Sequence, residues 1–266
     1  MTPDNDDLML YGERFASRLL LGTSRYPSPQ VMADAVAGAR PAMVTPSLRR
    51  QTAQGQASQA FWQLLKAMAV PVLPNTAGCH SIQEAVTTAE MAREVFETDW
   101  IKLELIGDDY TLQPDTLHLV EVAARLIKDG FKVLPYCTED LVLCRKLVDV
   151  GCQAVMPWAA PIGTGKGPIN PYAMRLLRER LEVPLIVDAG LGLPSHACQV
   201  LEWGYDAVLL NTAVAQAQDP LLMAGAFADA VQAGRAAYLG GVMAEQQAAQ
   251  PSTPVLGTPF WHQTNH

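Results

Sequence analysis

Trp100-Ile-Lys-Leu-Glu-Leu-Ile106 reads as a β-strand that carries two charged side chains toward a protein interior. Successive strand residues point to opposite faces. Lys102 and Glu104 therefore share one face with Trp100 and Ile106, while Ile101, Leu103 and Leu105 share the other. The uniformly aliphatic face calls for a cover of helices. Lys102 and Glu104, roughly 6 to 7 Å apart along the strand, are left facing inward. An outer face packed on helices and an inner face with polar groups near the strand end is what a (β/α)8 barrel requires, because its catalytic groups stand at the C-terminal ends of its strands.

The rest of the chain fits that reading. Short apolar, β-branched runs at 19–23, 43–48, 72–76, 100–106, 132–137, 154–158, 185–190 and 207–212 alternate with helical patterns near 28–39, 57–68, 81–96, 114–129, 139–150, 170–181, 194–203 and 220–234. Ser81-Ile-Gln-Glu84 has the form of a capping box, and Gly130, Gly151 and Gly204 follow helical segments where a left-handed residue is wanted. Strands alternating with helices imply right-handed parallel units, and eight of them close naturally into a barrel. An open doubly wound sheet would want a phosphate-binding G-x-G-x-x-G after the first strand, and Leu20-Leu-Gly-Thr-Ser-Arg25 does not supply it. The expected organisation is one barrel domain over 1–240, followed by a C-terminal tail, 241–266, without periodicity and with an aromatic end at Phe260-Trp261.

Composition narrows the function. The 266 residues carry a net charge of −8, with 17% charged residues. No cluster of Lys and Arg beyond Arg49-Arg50 is available to neutralise phosphates, so nucleic acid is not expected as a partner. Five cysteines form no C-x-x-C pair and read as reduced core thiols. The polar, acidic start lacks the pattern of a signal peptide, and no apolar run is long enough to span a bilayer. A cytoplasmic protein without membrane attachment is expected. None of the five histidines has partners at metal-ligand spacing, and His80 reads as a capping or loop residue, so neither metal nor cofactor is expected.

Two readings of Lys102 stand side by side. It is either half of a buried structural ion pair with Glu104, or an amine whose burial lowers its pKa so that it attacks a carbonyl, with Glu104 as general acid or base. Asp188, at the end of the seventh strand, is either a helix or turn cap or a catalytic carboxylate. The glycine-rich segments Ala189-Gly190-Leu191-Gly192 and Pro161-Ile-Gly-Thr-Gly-Lys-Gly167, together with Leu210-Asn211-Thr212, meet the barrel rim at adjacent strand ends. Exposed amides there commonly bind phosphate.

From about residue 8 to residue 239 the chain resembles the bacterial thiazole synthases of thiamine biosynthesis, the ThiG family. The segments that carry the likeness are Leu21-Gly-Thr-Ser, Met43-Val-Thr, Leu73-Pro-Asn-Thr-Ala-Gly, Trp100-Ile-Lys-Leu-Glu, Val133-Leu-Pro-Tyr-Cys, Ala154-Val-Met-Pro, Ala160-Pro-Ile-Gly, Val187-Asp-Ala-Gly-Leu-Gly-Leu-Pro-Ser-His-Ala and Leu210-Asn-Thr-Ala. The resemblance implies a (β/α)8 barrel that joins 1-deoxy-D-xylulose 5-phosphate, dehydroglycine and sulfur into the thiazole phosphate. It implies Lys102 as the imine-forming lysine, Glu104 and Asp188 as acid/base carboxylates, and Gly163, Ala189, Gly190, Asn211 and Thr212 as holders of the sugar phosphate. The partners it implies are a small ubiquitin-like sulfur-carrier protein bearing a C-terminal thiocarboxylate, an enzyme that produces dehydroglycine, and further copies of the chain in a homotetramer. The loop Gly163-Thr-Gly-Lys-Gly167 and the segment Thr45-Pro-Ser-Leu48 depart from the family's pattern, and Pro46 predicts an irregular end to the second strand. Two other functions fit the residues without the resemblance: a class I aldolase of a phosphorylated sugar, and a non-catalytic barrel that binds a phosphate ligand.

Overall fold

The computed structural model describes residues 6–48 and 56–250. Eight parallel runs close into a barrel. Strands Ile186–Asp188, Ala207–Leu210, Leu19–Gly22 and Met43–Thr45 form one ladder, and Trp100–Leu103, Lys132–Cys137 and Met156–Pro157 form another. Single parallel bridges join the two sets. Val44 meets Val72, Ser47 meets Asn75 and Asn75 meets Lys102 on one side, and Val155 meets Leu185 on the other. An open sheet would leave that last pairing unmade, so the doubly wound alternative falls.

Prolines explain why some runs are shorter than the sequence pattern suggests. The third, 72–76, makes bridges rather than a ladder, because Pro71 and Pro74 have no N–H to give; their carbonyls still accept from Val44 and Lys102. The second strand stops at Thr45, before Pro46, and pairing resumes at Ser47. The fourth ends at Leu103 rather than running to 106. Beyond it the Thr76 hydroxyl replaces the ladder, accepting from the Glu104 N–H at 2.8 Å and donating to the Glu104 carbonyl at 2.7 Å. Ile106–Asp108 then pairs antiparallel with Gln113–Pro114, a hairpin the sequence pattern did not reveal.

Helix positions follow their caps. Ser28, Ser81, Asp140, Asn170 and Asp219 each accept a backbone N–H of the first turn with their side chains. Gly130, Gly151 and Gly204 adopt positive φ after helices, as the pattern requires. The last helix, Pro220–Gly240, runs six residues past its expected end at 234, and residues 241–250 beyond it are irregular and exposed. Phe260-Trp261 and Arg49-Arg50 lie outside the described residues.

The two sides of the barrel wall follow the period-two reading. Leu19, Leu21, Val44, Ile101, Leu103, Leu105, Val133 and Val187 pack outward among the helices. Leu20, Met43, Leu73, Trp100, Leu134, Met156, Ile186 and Leu209 pack inward. An N-terminal hairpin, Leu8–Leu10 with Glu13–Phe15, plugs the bottom with Leu8, Leu10 and Phe15. Tyr11 at its turn stacks edge-on against Trp100, and its hydroxyl bonds the backbone of Val133 and Gln153.

Candidate active site

At the opposite end the inner face turns polar around a cavity of about 420 Å³. Lys102, Glu104, Asp188, Gly163, Ala189, Gly190, Asn211 and Thr212 all line it. Residues separated by more than a hundred positions thus converge because each sits at or just past the end of a barrel strand.

Lys102, Glu104 and Asp188 are 5%, 7% and 3% exposed, so the cluster lies deep in the cavity. Lys102 Nζ lies 2.9 Å from Glu104 Oε1 and 2.6 Å from Asp188 Oδ2. The two readings of Lys102 and Glu104 thus meet in one triad, with Asp188 as its third member rather than a helix cap. Burial favours the neutral amine, but Asp188 and then Glu104 outweigh it, and the Lys102 pKa is raised, not lowered as expected from burial alone. Burial pushes the Asp188 carboxyl up to about 6, the Lys102 charge pulling it down and the Glu104 charge pushing it up. At rest the lysine therefore keeps its proton, beside a carboxyl that titrates near 6.

An apolar roof covers the triad. Ile106, Tyr136 and Trp158 pack together with Leu112, Ile162 and Ala189. The Tyr136 ring centroid is 5.8 Å from Lys102 Nζ, and its hydroxyl donates to the Leu112 carbonyl at 3.3 Å. Leu112 comes from the unforeseen hairpin, whose Asp109 also reaches the mouth and faces His80 at 3.4 Å. His80 is otherwise the loop residue the sequence suggested, its N–H donating to Glu84.

The glycine loops owe their shape to close backbone contact. Ala189 and Gly190 both lie in the left-handed region, with φ of 74° and 82°, which turns the chain sharply after Asp188. A Cβ on Gly190 would stand 2.3 Å from the Ala160 nitrogen, so the loops after strands six and seven touch where only hydrogen fits. Ala159 N–H donates to the Ala189 carbonyl and Gly167 N–H to that of Gly190. Lys166 in the same loop is exposed and does not line the cavity.

Fold and site together define a class: a (β/α)8 barrel enzyme with a carboxylate-clamped lysine beneath a glycine-rich rim. Residues 9–254 match the family model described as thiazole biosynthesis protein ThiG. Thiazole synthase of Paracidovorax citrulli is 78% identical over 98% of this chain and 97% of its own, and that of Variovorax paradoxus is 75% identical over 98% and 96%. Among solved structures, the Amycolatopsis orientalis BexX/CysO complex matches with a TM-score of 0.82 at 30% identity, covering 91% of this chain and 98% of that one. A 3-hexulose-6-phosphate synthase from Salmonella typhimurium shares the fold, with a TM-score of 0.57 at 19% identity over 81% of this chain and 98% of its own. The chain belongs to the ThiG family, and its activity is thiazole synthesis in thiamine biosynthesis. The aldolase and scaffold readings of the sequence fall with that finding. Among the described residues no helix is long and apolar enough to cross a membrane.

Proposed function

We propose that Lys102 forms an imine with the ketone carbon of 1-deoxy-D-xylulose 5-phosphate. The supporting observation is the clamp on its amine, with carboxylate oxygens 2.9 and 2.6 Å away on the wall of the cavity. Asp188 takes the ammonium proton, the freed amine adds to the ketone, and the proton returns to the departing water. The protonated imine then acidifies the neighbouring C–H. Glu104 or Asp188 removes that proton, and carbonyl character moves one carbon along the sugar, where the sulfur adds. Gly163, Ala189, Gly190, Asn211 and Thr212 hold the phosphate, so that binding at one end orients reaction at the other.

Sulfur arrives as the thiocarboxylate of a small ubiquitin-like carrier. The BexX relative, solved as a complex with a second protein, CysO, supports such a partner. Dehydroglycine from a separate enzyme completes the ring. The barrel, 1–240, acts as one domain in a cytoplasmic homotetramer, with 241–266 appended. Exposed Leu221, Leu222 and Leu239 on the last helix support subunit contact, and five free cysteines support a reducing compartment.

The test is to reduce a mixture of protein and 1-deoxy-D-xylulose 5-phosphate with borohydride and locate the adduct by mass. A sugar phosphate fixed on Lys102, absent from Lys102→Ala, is expected, along with a turnover loss of at least about a thousandfold. An undiminished adduct in the variant would sink the imine.

A further inference from the structure

The cavity has a wall that neither the lysine clamp nor the glycine rim accounts for. Ser47, Asn75 and Lys102 are in register on three adjacent strands, Ser47 paired with Asn75 and Asn75 with Lys102. All three line the cavity, so they form one polar row, Ser47 roughly 10 Å from Lys102 across two strand spacings. Thr45 and Gly22 continue the wall, and Asn211 on the eighth strand completes it next to the rim. Gly22 is part of the design: a Cβ there would stand 2.6 Å from the Asn211 Cβ, so its missing side chain is what lets Asn211 turn into the cavity.

The hydrogen-bonding capacity along this arc is partly unspent. Asn75 donates one amide hydrogen to the Thr45 hydroxyl at 3.0 Å and accepts from the Ala77 N–H at 3.2 Å, which leaves its second amide hydrogen over. The Ser47 hydroxyl and the Asn211 side-chain amide oxygen are buried and make no hydrogen bond among the described residues. Ser47 is 4% exposed. Buried polar atoms without partners are costly unless a ligand satisfies them.

We propose that Ser47, Asn75 and the side-chain oxygen of Asn211 bind the two hydroxyl groups that lie between the ketone and the phosphate of the sugar, which leaves the N–H groups of Asn211 for the phosphate. This rests on the reading of Lys102 as the ketone's partner and the rim as the phosphate's, because the arc connects those two points. Its chemistry fits hydroxyls better than a second anion. Between Lys102 and the rim the arc has no cation among its described residues, and it presents an unpaired side-chain amide oxygen beside its donors. A hydroxyl both donates and accepts, whereas a carboxylate only accepts. The subsite would then select the sugar by its middle, where ketose phosphates of equal length differ.

Calorimetric titration of the full chain with 1-deoxy-D-xylulose 5-phosphate, and with analogues lacking one or the other middle hydroxyl, tests this. Ser47→Ala is expected to weaken binding of the full sugar about five- to tenfold. One analogue should weaken binding to the natural chain by a similar factor, and its affinity should be indifferent to Ser47→Ala. The thermal midpoint of the ligand-free variant should hold or rise, since the hydroxyl has no partner to lose and its unpaired burial is relieved. Unchanged affinity for the full sugar in Ser47→Ala, or an equal loss with every analogue, overturns the subsite. If the borohydride adduct on Lys102 persists in that case, the subsite alone has failed. If binding depends on Ser47 but no adduct forms, the subsite stands and the imine has failed.

Discussion

Trp100 and Lys102 are two residues apart on the same face of the same strand, and they live in different worlds. Trp100 sits in the plugged bottom of the barrel, edge-on to Tyr11 and Phe15 and surrounded by Leu8, Leu10 and Leu134. Lys102 sits in the polar top, between two carboxylates. The eight strands set the direction of both side chains, but what covers each end sets the chemistry. The bottom is closed by a hairpin whose Leu8, Leu10 and Phe15 fill the interior with apolar groups. The top is roofed by Tyr136 and Trp158, yet keeps three charges and unspent hydrogen-bonding groups facing a cavity. Inside the wall, apolar packing fills one end of the barrel and a polar-lined cavity the other.

Trp100→Ala is the most severe way to break that division. Removing a buried indole costs about 3–5 kcal/mol, and for a chain of this size roughly 2–4 °C of thermal midpoint per kcal/mol. The midpoint should fall by roughly 10 °C while the borohydride adduct still forms in the folded fraction below the transition. An abolished adduct in protein that is still folded would mean the two halves are coupled. Gly190→Ala attacks the rim. Its Cβ would overlap the Ala160 nitrogen, and its φ of 82° disfavours any side chain. A loss of about 2 kcal/mol is expected, together with a raised KM for the sugar phosphate. Wild-type KM would remove the rim from phosphate binding.

The gentlest probe is pH. Asp188 titrates near 6 in the fold against an ordinary 3.8, so the folded chain holds a proton there between those values that the unfolded chain has released. Asp188 thus costs stability in full above pH 6, and the cost fades as pH falls toward 4. Lys102 stays charged throughout that window, because its raised pKa lies far above it. Denaturant titrations should therefore show Asp188→Asn losing less stability than the natural chain as pH rises from 4 to 6. Parallel slopes for the two proteins would mean that the carboxyl is already ionised at the lower pH.

Much of this was legible in the sequence, for identifiable reasons. Period-two alternation placed Lys102 and Glu104 inside because Ile101, Leu103 and Leu105 leave no other assignment. The glycines after Asp188 pointed to the rim because close backbone approach admits no other residue. The plug was not legible: its strands are three residues long and gain their order from packing under the barrel, not from local preference. The hairpin at 106–114 was absorbed into strand four, since Ile106 keeps the strand's parity and the break is made by Thr76, far away in sequence. The sequence left the charge of Lys102 open between two readings because one of its two carboxylates arrives from strand seven, a distance no local pattern encodes. Ser47 stood in plain sight two residues after Thr45, but a lone serine signals nothing until its hydroxyl is found without a partner.

The Tyr11 hydroxyl, bonded to the backbone of Val133 and Gln153, sets chain order against assembly order. Its partners leave the ribosome 122 and 142 positions after it. The hairpin is thus a piece that has to wait, unplaced, until more than a hundred further residues have been synthesised behind it.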